Sequence, residues 1–133
     1  MAKRTLDTNV LINHWGDEIG HSRLDQVTTR QAIACAANLI EIQYTNLILT
    51  PVFVEFLCGH ATAHGVKLAR AYLGEFEIAD GGKILPADWE EAKRLAARVP
   101  RDGLRRQMGD CLIRAICTRL NLEVFTFEKR FPY

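Results

Sequence analysis

Apolar and polar positions along the chain fall into runs whose period changes, and those changes mark the elements. Residues 4 to 7 read as a short buried strand, and "NVLINHW" continues as a helix with Val10, Leu11, Ile12 and Trp15 turned inward. "GDEIGHSRLDQVTTR" is polar and carries two glycines, so it reads as a loop or a loosely attached elaboration over residues 16–30, before "QAIACAANLIEIQY" resumes helical spacing. A second strand is expected at "NLILT", 46 to 50, where Thr50 followed by Pro51 signals a capped helix start and Gly59 its end. Another helix is expected from about Ala61 to Phe76. The glycines Gly81 and Gly82 then break the chain, "KIL" at 83 to 85 is a strand candidate, and "PADWEEAKRLAARV" is a helix opened by Pro86, with "PRDG" at 100 to 103 as a turn. Leu104, Met108, Leu112, Ile116 and Leu120 recur every fourth residue and predict a long core helix, followed by a last strand, "LEVFTF", at 122 to 127. Strands alternating with helices through short connections predict an α/β fold around a parallel sheet.

Composition narrows the class without naming a function. The 133 residues suit a single domain, 1–133, and a 48% hydrophobic share suffices for a real core. Lysine plus arginine number 17 against 16 acids, so net charge does not announce nucleic acid. Arg94, Arg98, Arg101, Arg105, Arg106, Arg114 and Arg119 do crowd the C-terminal third, where solvated helix faces explain most of them. Cys35, Cys58, Cys111 and Cys117 lie in apolar helical patterns without zinc-site spacing, which reads as buried free thiols of a reducing compartment. No apolar stretch is long enough for a membrane span, and the expected location is the cytoplasm. His60 and His64 have i, i+4 spacing but no evident third ligand and receive no role, while Trp15 and Trp89 read as core or interface anchors.

Four acids stand where chemistry is plausible. Asp7 ends the first strand, the edge at which open α/β sheets bind ligands, although an aspartate there also caps the next helix. Glu55 interrupts "VFVEFL", whose apolar neighbours leave it in need of a lysine, a partner-subunit contact or a metal unless it faces solvent. Asp110 opens the long helix on a narrow polar stripe with Gln107 and Arg114, where an i, i+4 ion pair with Arg114 is the simple alternative. Glu128 follows the last strand beside Lys129 and Arg130, a setting in which acids are usually just solvated. If the first, second and last strands are neighbours, all four converge at one sheet end, and clustered carboxylate oxygens are the ligands of choice for Mg²⁺ or Mn²⁺. A haloacid-dehalogenase phosphatase would want a second aspartate at position 9, which is Asn, and a receiver domain would want paired acids that "LDTN" lacks.

In "LDTNVLI" at 6 to 12, "TPVFVEFLCG" at 50 to 59 and "GDCLIRAICTRLNLEVFTFEKRF" at 109 to 131, the chain resembles the PIN-domain nucleases, and within them the small VapC-type toxins of bacterial toxin–antitoxin pairs. The resemblance covers nearly the whole chain and implies a three-layer α/β/α domain with a central, mainly parallel sheet flanked by helices. It matches Asp7, Glu55 and Asp110 to the metal-ligand acids, Glu128 to a fourth position more often Asp or Asn, and Thr8 and Thr126 to the hydroxyl positions beside them. Cys111 stands where a smaller alanine is usual. The resemblance further implies Mg²⁺-dependent hydrolysis of RNA with Mn²⁺ able to substitute, a homodimer, and an antitoxin protein that blocks the acidic cleft. Basic side chains such as Arg105, Arg106 or Arg114 would hold flanking phosphates. A PIN-fold module that binds RNA or protein without cutting is the alternative.

Overall fold

Strand β1, Lys3–Leu6, runs parallel to β4, Leu122–Phe125, with Lys3 opposite Leu122 and Leu6 opposite Phe125. The Asp7 amide continues the pairing by donating to the Phe125 carbonyl at 2.9 Å. Strand β2, Leu47–Ile48, pairs in parallel with β3, Glu77–Ile78. The two pairs meet through threonines: the fully buried Thr5 hydroxyl donates to the Leu47 carbonyl at 3.1 Å, and Thr45 donates to the Arg4 carbonyl at 2.7 Å. The strands therefore stand in the order β3, β2, β1, β4, with β1 central. The structure, a computed structural model, describes residues 3–100 and 103–128. Residues 101 and 102 of the expected turn, and Lys129 and Arg130 beyond Glu128, lie outside the described residues.

Helices α1 (Thr8–Glu18), α2 (Thr29–Gln43), α3 (Thr50–Cys58), α4 (Ala63–Leu73), α5 (Pro86–Ala96) and α6 (Met108–Leu120) flank the strands. α2 packs on α4, α1 on α3, and α5 on α6, giving the expected three-layer α/β/α arrangement with a parallel sheet. Leu6, Leu11, Leu39, Ile48, Leu68 and Ile116 are fully buried between the layers. Burying a side chain of this size contributes roughly 1.5–3 kcal/mol each, which sets the sheet end rigidly for whatever it carries. Among the described residues no helix is long and apolar enough to cross a membrane.

Several elements differ from the sequence expectation for local reasons. The stretch 83–85 forms no strand; the ladder lies earlier, at β3, because Gly81 and Gly82 take positive φ of 65° and 77° and turn the chain, after which Leu85 is already the residue before α5. Thr50 does not cap α3. Leu49 holds that position, and the buried Asp80, from the loop after β3, accepts the Thr50 amide at 2.9 Å and its hydroxyl at 2.5 Å. Helix α6 starts at Met108, and Leu104 and Met108 are exposed. A strict spacing of four precesses by about 40° per step on a helix of 3.6 residues per turn, so five such residues cannot share one face. The buried face combines Leu112 and Ile116 with Ile113 and Cys117 instead. The segment expected as a loop contributes the end of α1, a short 3-10 turn at Leu24–Gln26, and a start of α2 capped reciprocally by Thr28 and Gln31. Ile12 and Trp89 are exposed, Trp15 packs edge-on against Phe56 and Tyr72, and His64 hydrogen-bonds the Val27 carbonyl. Cys58 is exposed, unlike the other three thiols.

Candidate active site

The site begins where β1 and β4 end together. Asp7 leaves the ladder in an extended conformation and caps α1, and its carboxylate is almost wholly buried. One oxygen accepts the Thr8 amide at 2.8 Å, and the other accepts the Thr126 hydroxyl at 2.7 Å. Thr126 is the residue after β4, and its hydroxyl is fully committed. Besides donating to Asp7, it accepts from the Asn9 amide at 3.1 Å and from the Glu128 backbone at 3.0 Å. A hydroxyl has one proton and two lone pairs, and with two N–H donors on the oxygen the proton favours the nearer acceptor, Asp7 at 2.7 Å, over the Asn9 side-chain oxygen at 3.5 Å. Asn9 closes the brace by accepting the Phe127 amide at 3.2 Å.

Glu55 reaches the same place from α3. Its residue surface is exposed, against the sequence expectation of burial, because residues adjacent in sequence on a helix point about 100° apart and the flanking Val54 is itself half exposed. The carboxylate end is nevertheless crowded. It accepts the Thr8 hydroxyl at 3.1 Å, and a Cβ placed on Gly109 would lie 3.0 Å from one of its oxygens. The first turn of α6 thus presses its backbone against Glu55 and brings in Asp110, the third residue of that helix. Crowding by protein pushes the Glu55 carboxyl above the usual carboxylate range, the Thr8 hydroxyl opposes the rise, and the charges of Asp7 and then Asp110 add to it. Beneath, burial pushes the Cys117 thiol up to about 12, with Arg114 opposing and the Asp7 charge adding.

Asp7, Glu55 and Asp110 therefore converge on one sheet end, with Thr8 and Thr126 as their hydroxyl partners. Glu128 is brought to the edge of this cluster through its main chain. Among the described residues no group of three or more His, Cys, Asp or Glu side chains is gathered tightly enough to hold a metal by itself. The donor set still suits a hard divalent cation, being made of carboxylate and hydroxyl oxygen. Mg²⁺ keeps several waters and is commonly held by one or two carboxylates plus substrate phosphate rather than by a closed protein cage. Two members of the site escaped the reading of the sequence. Asn9 was visible inside "LDTN" but carries no chemistry of its own, and the role of Gly109 depends on a contact with a residue 54 positions away.

The sequence profile of the PIN domain matches residues 5–133. No curated protein and no solved structure gives a significant match. PIN domains are nuclease-type folds, typically dependent on divalent metal. With nearly its whole length matched, and with the layered α/β/α architecture to accompany it, the chain belongs to the PIN-domain family.

Proposed function

We propose that the protein is a metal-dependent endoribonuclease that hydrolyses RNA phosphodiester bonds and acts in the cytoplasm as the toxin of a type II toxin–antitoxin module. The observation that carries this reading is the position of Glu55 between the other two acids' elements: its carboxylate accepts the Thr8 hydroxyl at 3.1 Å, beside Asp7, and lies against Gly109, beside Asp110, and both charges add to the rise that burial gives it. Asp7, Glu55 and Asp110, with Glu128 beside them, would hold Mg²⁺, or Mn²⁺ in its place, and such an ion would supply water activation and charge neutralisation at the phosphate. Thr126 and the Thr8 amide fix the Asp7 carboxylate, the Thr8 hydroxyl fixes Glu55, and each bonded carboxylate oxygen retains capacity for a second partner. Basic side chains such as Arg105 or Arg114 would hold flanking phosphates by salt-sensitive contacts, whereas the Arg106 guanidinium is turned to the Ala96 carbonyl at 2.6 Å. The working form is a homodimer restrained by a cognate antitoxin protein.

The deciding experiment is cleavage of RNA by the purified protein, freed from any antitoxin, with Mg²⁺ or Mn²⁺ and with excess chelator. Metal-dependent cutting that Asp7→Asn abolishes is expected. Asparagine caps a helix about as well as aspartate, so an Asp7→Asn protein as active as the parent would reduce Asp7 to a cap. The second reading, a PIN-fold module that binds RNA or protein without cutting, is favoured by the absence of a closed three-ligand cage among the described residues. RNA binding without any metal-stimulated cleavage would select it.

A further inference from the structure

Thr126 does more than hold Asp7. Its hydroxyl also accepts the Glu128 amide, two residues on, at 3.0 Å, which closes a tight side-chain turn with Phe127 at the apex. Small and polar residues dominate such turns. This one carries a phenylalanine, and it is 52% exposed. Its backbone is nevertheless fixed. The Phe127 amide donates to the Asn9 side chain at 3.2 Å, and Asn9 and Asp7 both bond the Thr126 hydroxyl on which the turn is built.

Packing does not account for the ring. Phe125, two residues earlier, packs against the core and has the Arg4 guanidinium over its ring at 5.1 Å. Phe127 lies outside that core and meets the Phe125 ring edge-on, with centroids 5.6 Å apart and planes at 77°. Such a contact covers at most one face of either ring, and the exposure of Phe127 leaves the rest open to water. A single exposed apolar side chain is ordinary on a protein surface. This one is tied through one hydroxyl to a carboxylate of the proposed site.

The chemistry of the neighbourhood selects what covers the open face. Asp7, Glu55, Asp110 and Glu128 make the mouth acidic, so phosphate oxygens are repelled there unless a cation intervenes. RNA flanking the phosphate to be cut is therefore better held at this rim by its uncharged part. A nucleobase offers a flat, neutral π-face to an aromatic ring whatever its identity, and it is free to do so when unpaired and splayed from its neighbours. Because the turn is already braced, little ordering is needed on binding.

We propose that Phe127 stacks on an unpaired base next to the scissile phosphate and so makes the site select single-stranded RNA. The proposal rests on the ribonuclease reading above and names a substrate-positioning residue for it.

Binding and cutting are measured separately. Single-stranded oligoribonucleotides carrying 2-aminopurine, whose fluorescence is quenched by stacking, are titrated with the full chain in Ca²⁺, and cleavage is followed in Mg²⁺. Phe127→Leu, which keeps an apolar contact with Phe125, should lose most of the quenching and bind roughly tenfold more weakly, while Phe127→Tyr and Phe127→Trp bind like the parent. The salt dependence of binding should not change in Phe127→Leu, since no phosphate contact is removed. Binding of the same strand in a duplex should be equal in the parent and Phe127→Leu. In cleavage the loss should appear in KM, with kcat within about threefold of the parent. Parent-like binding and cleavage by Phe127→Leu, Phe127→Tyr as weak as Phe127→Leu, or an equal loss on duplex would overturn the stacking role and leave the nuclease reading standing. Quenching that depends on Phe127 in a protein that never cuts would support the stacking role and defeat the nuclease reading instead.

Discussion

Asp88 is an acid that chemistry does not need and stability does. It is 1% exposed, sits in the first turn of α5, and accepts three hydrogen bonds: from the Leu85 amide at 2.9 Å and from Arg119 Nε and Nη2 at 2.7 and 2.9 Å. One carboxylate thus reaches back to cap α5 and clamps it to the last turn of α6. Asp88→Ala removes the cap, worth about 1 kcal/mol, and a bidentate charge-assisted pair. Breaking a fully buried pair costs about 3–5 kcal/mol, but the Arg119 side chain is 27% exposed and recovers part of its hydration, so a total near 3 kcal/mol is expected. For 133 residues that lowers Tm by about 10 °C.

The same residue predicts a pH dependence. Burial alone would raise the Asp88 carboxyl, but the Arg119 bonds and the Leu85 amide outweigh it and hold the group below its usual range. Its contribution is therefore fully present above the unfolded-state value, near pH 4, and is lost as pH falls from there through the folded value. Urea unfolding of the parent, Asp88→Asn and Asp88→Ala between pH 3 and 7 measures this. Asp88→Asn should cost less than Asp88→Ala, and the gap between parent and Asp88→Asn should be constant from about pH 5 to 7 and shrink toward pH 3. A Tm loss below about 2 °C in Asp88→Ala, or a gap that does not narrow in acid, would refute the argument.

Gly109→Ala should separate activity from stability. The new methyl's nearest neighbours are the atoms at the movable end of Glu55, and alanine favours the helix by up to about 1 kcal/mol, so the fold should hold or gain while RNA cleavage falls at least roughly tenfold, read by thermal unfolding beside a cleavage assay. Thr126→Val should cost about 1–3 kcal/mol, because Asp7, Asn9 and the Glu128 amide lose a shared partner, and Thr126→Ser should restore both stability and cleavage. Glu128→Asp should retain much of the cleavage and Glu128→Ala lose part of it; an Ala variant equal to the parent at limiting metal would make Glu128 a surface acid.

The long-period features were legible in the sequence, and the short ones were not. Helices α2, α5 and α6 show sustained apolar spacing, β4 is a four-residue strand rich in apolar residues, and β1, though only Leu6 of its four residues is apolar, runs directly into the apolar start of α1, so the sheet end could be located. β3 is two residues long, too short to show any alternation, and its ladder depends on β2 rather than on its own composition. Glu55 was misread for burial because adjacency along the chain stood in for adjacency in space. Its exposure and its crowding at the carboxyl end are both consequences of where Thr8 and Gly109 lie, which only the packing of α1, α3 and α6 determines. Asp80 and Asp88 were invisible for the same reason: each is a loop or first-turn acid whose buried partners come from distant elements.

The placement of Asp7 shows why capping and site roles need not compete. In a parallel pair with Leu6 opposite Phe125, the next residues in register are Asp7 and Thr126, and side chains at one register position share a face. The contact between the Asp7 carboxylate and the Thr126 hydroxyl therefore follows from the ladder itself. The extended backbone of Asp7, with φ −77° and ψ 160°, then turns the chain into α1 and gives its other oxygen the Thr8 amide. Neither bond exhausts an oxygen's capacity to accept a second partner. A slip of one residue in the β1–β4 register would put Asp7 on the opposite face from Thr126 and dismantle the site while leaving the helix cap possible. Register, more than the cap, is what ties this aspartate to Thr126 and so to the proposed site.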